Sequence, residues 1–300
     1  MTANVQHNKN VIRFAWAATL LLSTLPNIIW QELFGPPTIW LLWSKLILLM
    51  VFLTITYFWQ TAKPLRNYFF LIFALFIVEE AFGRLGKSQW FLTWFPETAT
   101  FITTMLGIQL RRVAGALIMT LILFLIYRNP ASFFLIFGDY NAPVPREKIV
   151  IDKDTSWNKL GWILSLCITG GTLTFLWLAG RPALGTLLSV WPLLPVILLL
   201  AAMNAFSEEL NYRAALLAPL EPAVGKTHSI LLTALFFGLG HFYGVPYGMI
   251  GVIMAFVLGY LLSKSMLETR GFFWPWFIHF LQDIAIFSFM AIGAVMAGGG

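Results

Sequence analysis

Charge is what this chain has least of: Asp, Glu, Lys and Arg make up only 11% of its 300 residues. A soluble domain carries about 25%, so most of this surface is not built for water. Cysteine is scarcer still. The single Cys167 excludes an internal disulfide framework and a thiolate metal cluster, and a lone thiol in an apolar helix is expected to serve packing. No small-x-small cleavage site follows the first apolar run, "VIRFAWAATLLLSTLPNIIW", which reads as a retained span and not as a signal peptide. Internal repeats, heptads and low-complexity tracts are missing, apart from the terminal "GGG".

What remains is apolar. Hydrophobic residues make up 59% of the chain and the mean hydropathy is +0.80. Several runs reach the roughly 20 residues that cross a bilayer as a helix. The expected fold class is all-α, a polytopic transmembrane helical bundle of about nine spans. Candidate spans are 14–31, 39–59, 67–82, 113–127, 159–179, 184–206 continuing helically to 218, 229–243, 247–263 and 272–296. Segment 97–112 fits either an interfacial helix or the start of a long tilted span. Dropping one span gives a count of about eight. Pro, Asp, Asn and Gly in "FGDYNAPVPREKIVIDKDTSW" divide the chain into an N-terminal transmembrane region, 1–158, and a core, 159–300.

The net charge of +6 sits in short connections: Lys9 and Arg13, Lys63 and Arg66, Arg128 to Lys159, Lys226, Lys264 and Arg270. With nine spans all of these fall on one side, which places the N-terminus in the cytoplasm and the protein in a plasma (inner) membrane. Such clusters suit anionic lipid headgroups; a nucleic-acid partner is not expected. Many of the 13 tryptophans, Trp30, Trp40, Trp59, Trp94, Trp157 and Trp274 among them, lie near run ends and suit interfacial belts, whereas Trp16 and Trp191 do not.

Ionisable groups within spans are costly and are functional candidates by default. Three helices of the second half carry them: Glu208, Glu209 and Arg213; then His241; then His279 and Asp283. Glu208 lies 11 residues before Pro219, about 16 Å along a helix, and His241 lies 13 residues after His228, about 20 Å. Counted from Arg270, His279 is about 13 Å deep and Asp283 about 19 Å. Depths therefore agree when measured from one side, placing a site within the membrane. Glu209 and Arg213 are i, i+4 with the acid first, the favourable order for an ion pair. Glu208 is about 100° round the helix from Glu209, so the two carboxylates have different tasks.

Plainer readings exist for each piece. A Glu–Arg pair can simply lock helices together, an isolated histidine can be a packing residue, and the glycines of "PYGMIGVIMAFVLGY" suit close helix contact. The spacing itself recurs in "VEEAFGRLG" as Glu79, Glu80 and Arg84, which reads as an interfacial copy whose side chains reach water beside Lys87 and Gln89.

"EELNYR", "FGLGH" and "HFLQD", in that order on successive helices, resemble the CPBP family. It comprises the type II CAAX prenyl endopeptidases and the bacteriocin-processing or immunity proteins, also called Abi. The resemblance spans about residues 200–290 and includes the "ETRG" segment and the following proline; "GDYNAP" is reminiscent of some members. It implies intramembrane proteolysis of a membrane-associated peptide, with Glu208 and His241 activating the attacking water. Glu209 and Arg213 would support the site, and Phe237 and Tyr212 would contact substrate. His279 and Asp283 would bind the oxyanion or orient the base. The last motif ends in Asp where prenyl-processing members carry Asn; an ionised Asp accepts but does not donate, so it would orient His279 or bind a metal. Glu208, His241 and His279 would make a zinc set with an open position, although a metal-free glutamate mechanism is preferred. Two rivals stand beside the peptidase: a non-catalytic bacteriocin-immunity or regulatory scaffold of the same fold, and a proton-coupled transporter, for which the paired broken helices are missing.

Overall fold

The computed structural model describes residues 8–96, 100–145 and 155–297. The basic residues Arg146, Lys148 and Lys153, and the terminal glycines, lie outside the described residues. The described residues are helical almost throughout: α1 (Lys9–Leu22), α2 (Leu25–Phe34), α3 (Ile39–Phe58), α4 (Arg66–Gly86), α5 (Gln89–Trp94), α6 (Phe101–Tyr127), α7 (Trp157–Gly180), α8 (Leu184–Val190), α9 (Leu194–Glu209), α10 (Ala215–Val224), α11 (Lys226–Gly240), α12 (Met249–Thr269) and α13 (Phe273–Met296). Two short strands, β1 (Pro143–Val144) and β2 (Thr155–Ser156), pair antiparallel with Pro143 opposite Ser156.

Six of these segments are long and apolar enough to cross a membrane, and a seventh is counted if α1 and α2 form one bent span. The protein is a multi-pass integral membrane protein. α4 carries Glu79, Glu80 and Arg84 and α11 has only 15 residues, so neither meets the same criterion. Large apolar side chains such as Leu33, Phe34, Trp40, Ile47, Phe58 and Trp191 stay exposed, as a lipid-facing surface requires.

Several expectations change. Segment 97–112 is no interfacial helix, because from Phe101 onward it is the first part of the 27-residue α6, capped by the Thr100 hydroxyl. The first span breaks at Ser23, where α1 and α2 are bent by 41°. Pro26 in the first turn of α2 lacks the N–H that a continuous helix uses. Lys45 Nζ takes up the Ser23 carbonyl freed there at 2.6 Å and the Asn27 side chain at 2.5 Å. The expected connection 219–228 contracts to a turn at Gly225 (φ 82°), because α10 runs through Pro219 and Pro222 to Val224. Trp157 and Trp274 are buried in an aromatic cluster with Tyr140, not spread in an interfacial belt, because the 138–144 loop folds over them. Trp16 donates to His228. Cys167 is exposed on α7, not packed inside.

The core crosses the chain's two halves. Val11, Leu22, Leu49 and Tyr68 pack with Leu216, Leu220, Leu232 and Phe236 in one cluster. A second cluster joins Leu71, Met119 and Leu123 to Leu210, Leu217 and Met266. Between α9 and α10 the helix passes through one π-helical turn, Leu210–Ala214, a widening that tends to mark functional segments.

Candidate active site

The π turn begins directly after the acidic pair, and the two glutamates, about 100° apart on the last turn of α9, leave the helix in different directions. Glu209 turns inward. Its Oε1 lies 3.0 Å from Arg213 Nη1, and both side chains are wholly buried. The same oxygen lies 2.7 Å from His279 Nδ1, on α13. Removing one partner of such a buried pair would strand the other charge. The Arg213 guanidinium sits 3.6 Å above the Phe237 ring, a buried cation–π contact.

Glu208 turns outward, to a cavity of about 460 Å³ between α4, α6 and the π turn. Its Oε1 meets Arg112 Nη1 at 3.1 Å, and its Oε2 lies 3.7 Å from His279 Nε2. Asp283, one turn beyond His279, places Oδ2 at 3.6 Å from the same Nε2 and accepts from Asn204 Nδ2 at 3.0 Å. One imidazole thus stands among three carboxylates, with Glu209 at Nδ1 and Glu208 and Asp283 towards Nε2. The carboxylate that orients His279 is Glu209, because only it comes within hydrogen-bond distance.

His241 follows the last residue of α11, and its Nδ1 lies 2.9 Å from the Phe237 carbonyl. A carbonyl can only accept, so Nδ1 carries the proton and Nε2 of the neutral ring is left as an acceptor. Phe237 packs 4.3 Å from the His241 ring centroid and 6.3 Å from that of His279. It is 3% exposed, so it braces Arg213 and both histidines and offers no free face to substrate, contrary to the expectation. Tyr212 does line the cavity. The glycines behave as helix contacts: a Cβ on Gly259 would come within 3.2 Å of Phe237, and one on Gly238 within 2.9 Å of the Val252 carbonyl.

The metal expectation does not fit this arrangement. Among the described residues no three His, Cys, Asp or Glu side chains are placed to hold an ion. Glu208 is engaged by the Arg112 guanidinium, whose positive charge opposes a cation beside that carboxylate.

Sequence reasoning missed four participants. Asn204 sits one turn before Glu208 and is held by Arg112 Nη1 at 2.5 Å and Gln109 Nε2 at 3.2 Å while it donates to Asp283. Arg112 and Gln109 come from the α6 segment left ambiguous above. The signal was present, since an amide and a guanidinium inside apolar runs are as conspicuous as a carboxylate. Glu79 reads in the sequence as an interfacial residue. Instead it faces the same cavity, where its Oε1 accepts from the Tyr212 hydroxyl at 2.5 Å. Only Glu80 and Arg84 form the expected surface pair, at 2.6 Å.

Residues 189–285 match the family model described as type II CAAX prenyl endopeptidase Rce1-like. No curated protein and no solved structure gives a match. The matched stretch contains Asn204, Glu208, Glu209, Arg213, His241, His279 and Asp283, and leaves out Glu79, Gln109 and Arg112. This stretch carries all three motifs, and over it, about a third of the chain, the protein is similar to the type II CAAX prenyl endopeptidase Rce1-like family.

Proposed function

We propose that the protein is an intramembrane endopeptidase that hydrolyses a peptide bond of a membrane-associated substrate, in the manner of CAAX proteases. The observation that supports this most is the unequal placement of two adjacent carboxylates. Glu209 is sealed against Arg213 and His279, while Glu208 opens on a cavity beside the same histidine. A base that must meet water and a carboxylate that must fix an imidazole call for those two settings.

In this reading a water beside Glu208 Oε2 gives its proton to the carboxylate as its oxygen adds to the scissile carbonyl. His241 shares that work through Nε2. His279, braced at Nδ1 by Glu209, donates Nε2–H as an imidazolium to the oxyanion that develops. Collapse of the tetrahedral species breaks the C–N bond, and the proton held by Glu208 passes to the leaving nitrogen. Asp283, held by Asn204, lies 3.6 Å from Nε2 of His279 and offsets the charge of the imidazolium. The mechanism is metal-free, a reading supported by the Arg112 guanidinium that already engages Glu208.

The same reading puts α4 and α11 across the bilayer with the other spans, for nine crossings, with a cytoplasmic N-terminus in a plasma (inner) membrane. Fluorescent fusions at each connection would overturn that topology by reporting the Gly225 turn and the 270–272 connection on opposite sides.

Comparative proteomics of membranes carrying wild type or Glu208→Gln tests the activity. An uncleaved precursor should accumulate in the variant. If the phenotype is unchanged and no precursor accumulates, the protein is a scaffold of this fold. Chelator treatment should leave cleavage intact; stoichiometric zinc whose removal abolishes it would overturn the metal-free mechanism.

A further inference from the structure

The cavity that Glu208 opens onto is walled on its other side by residues outside the family match. Glu79 enters from α4, and Arg111 and Arg112 from α6. The lining is mostly apolar, with Val78, Phe82 and Ile108 in it, and these charged groups are set into it; ligand pockets of roughly 300–1,000 Å³ bracket its volume. Arg112 pairs with Glu208, and Glu79 feels Arg112 and Lys45 at longer range, yet hydrogen-bonding atoms remain unused. The Tyr212 hydroxyl engages Oε1 of Glu79, which lines the cavity, and its second carboxylate oxygen is not used in that bond. Arg111 spends Nη1 on the Phe82 carbonyl, and its buried Nε has no partner. Arg112 is tied to Glu208 and Asn204 through Nη1 alone and is half exposed. A guanidinium has five N–H donors, so both arginines keep donors for a ligand. An occupant is therefore met by a carboxylate oxygen on one wall and by guanidinium N–H groups on another.

We propose that this cavity is the subsite for the leaving side of the scissile bond, and that Glu79 binds the amino group that cleavage releases. This rests on the peptidase reading above. Hydrolysis turns the scissile amide nitrogen, which has one hydrogen, into a primary amine. The water oxygen joins the acyl carbon, the C–N bond breaks, and the nitrogen takes up the proton that Glu208 accepted from water. A further proton from the medium makes it an ammonium. That cation forms beside Glu208, within electrostatic reach of Glu79. Glu79 Oε2 accepts from the ammonium, and Arg111 and Arg112 donate to the fragment's carbonyl or carboxylate oxygens. The ligand class is a short peptide with a free α-amino group.

The test is equilibrium binding of one short apolar peptide, with its amino group free or acetylated, to the full-length protein in detergent. Wild type should prefer the free amine by about tenfold or more, as expected of a hydrogen bond to a charged group. Glu79→Gln should bring the two affinities together. Tyr212→Phe, which removes the hydroxyl but keeps the carboxylate, should retain the preference, whereas a residue acting only through packing would treat both peptides alike. Equal binding by wild type, or a preference that survives in Glu79→Gln, overturns the assignment. A wild type that cleaves substrate without this preference refutes the subsite alone. One that shows the preference without cleaving anything refutes the peptidase and leaves an amine-binding site.

Discussion

The acidic pair followed four residues later by arginine occurs twice, as Glu79–Glu80–Arg84 and as Glu208–Glu209–Arg213. Both copies obey the same helical rule. In each the second glutamate pairs with the arginine, and the first, about 100° round the helix, faces the shared cavity. What differs is the setting. Arg84 and Glu80 are 66% and 35% exposed, whereas Arg213 and Glu209 are wholly buried beneath Phe237 and His279. Spacing decides who pairs with whom; surroundings decide what the pair can do.

The contrast breaks most visibly at the base. Glu208→Gln should lower the initial rate of peptide cleavage by about 10²–10⁴, the usual contribution of a general base, while Glu80→Gln leaves it unchanged. A Glu80→Gln loss of similar size would mean that the copies are functionally equivalent. Next in size is stability. Arg213→Ala strands Glu209 and should cost about 3–5 kcal/mol in unfolding of the detergent-solubilised protein. Arg84→Ala, at an exposed pair, should cost under about 1 kcal/mol. Comparable losses would show that burial does not separate the copies. Smaller still is Asn204→Ala, which removes the amide that holds Asp283 and Arg112. A fall of about tenfold in kcat with little change in KM would sharpen the contrast, since the first copy has no such amide one turn upstream. An unaltered kcat would reduce Asn204 to packing.

Much of this was legible in the chain. Glu208, Glu209, Arg213, His241, His279 and Asp283 stood out because ionisable groups inside apolar runs are rare, and counting residues along helices placed them at similar depth. The pairing of Glu209 with Arg213 followed from their spacing. Three things were not legible, for separate reasons. Arg112 and Gln109 lie in a segment whose polar beginning hid its continuation into a long helix. Glu79 was judged by its neighbours Glu80, Arg84 and Lys87, and a helix can send adjacent residues to water and to a cavity. The preference of His279 for Glu209 over Asp283 is a contact between distant helices, which local spacing does not encode. The bend at Ser23 was also hidden, because the Lys45 ammonium that takes up the freed carbonyl comes from another helix.

The π turn at Leu210–Ala214 joins two halves of one long helix. Ahead of it, α9 docks on α6 and α13; behind it, α10 docks on α4 and α11. Deleting one residue between Glu209 and Arg213 would restore an ordinary α-turn with little change of phase downstream, because the five residues of the wider turn advance about as far round the axis as four of an α-helix. The seams with α4 and α11 would keep their faces, while Arg213 would be drawn out of its i, i+4 register with Glu209. The extra residue therefore serves the site and not the docking, setting where Arg213 stands relative to the acidic pair without turning α10 on its neighbours.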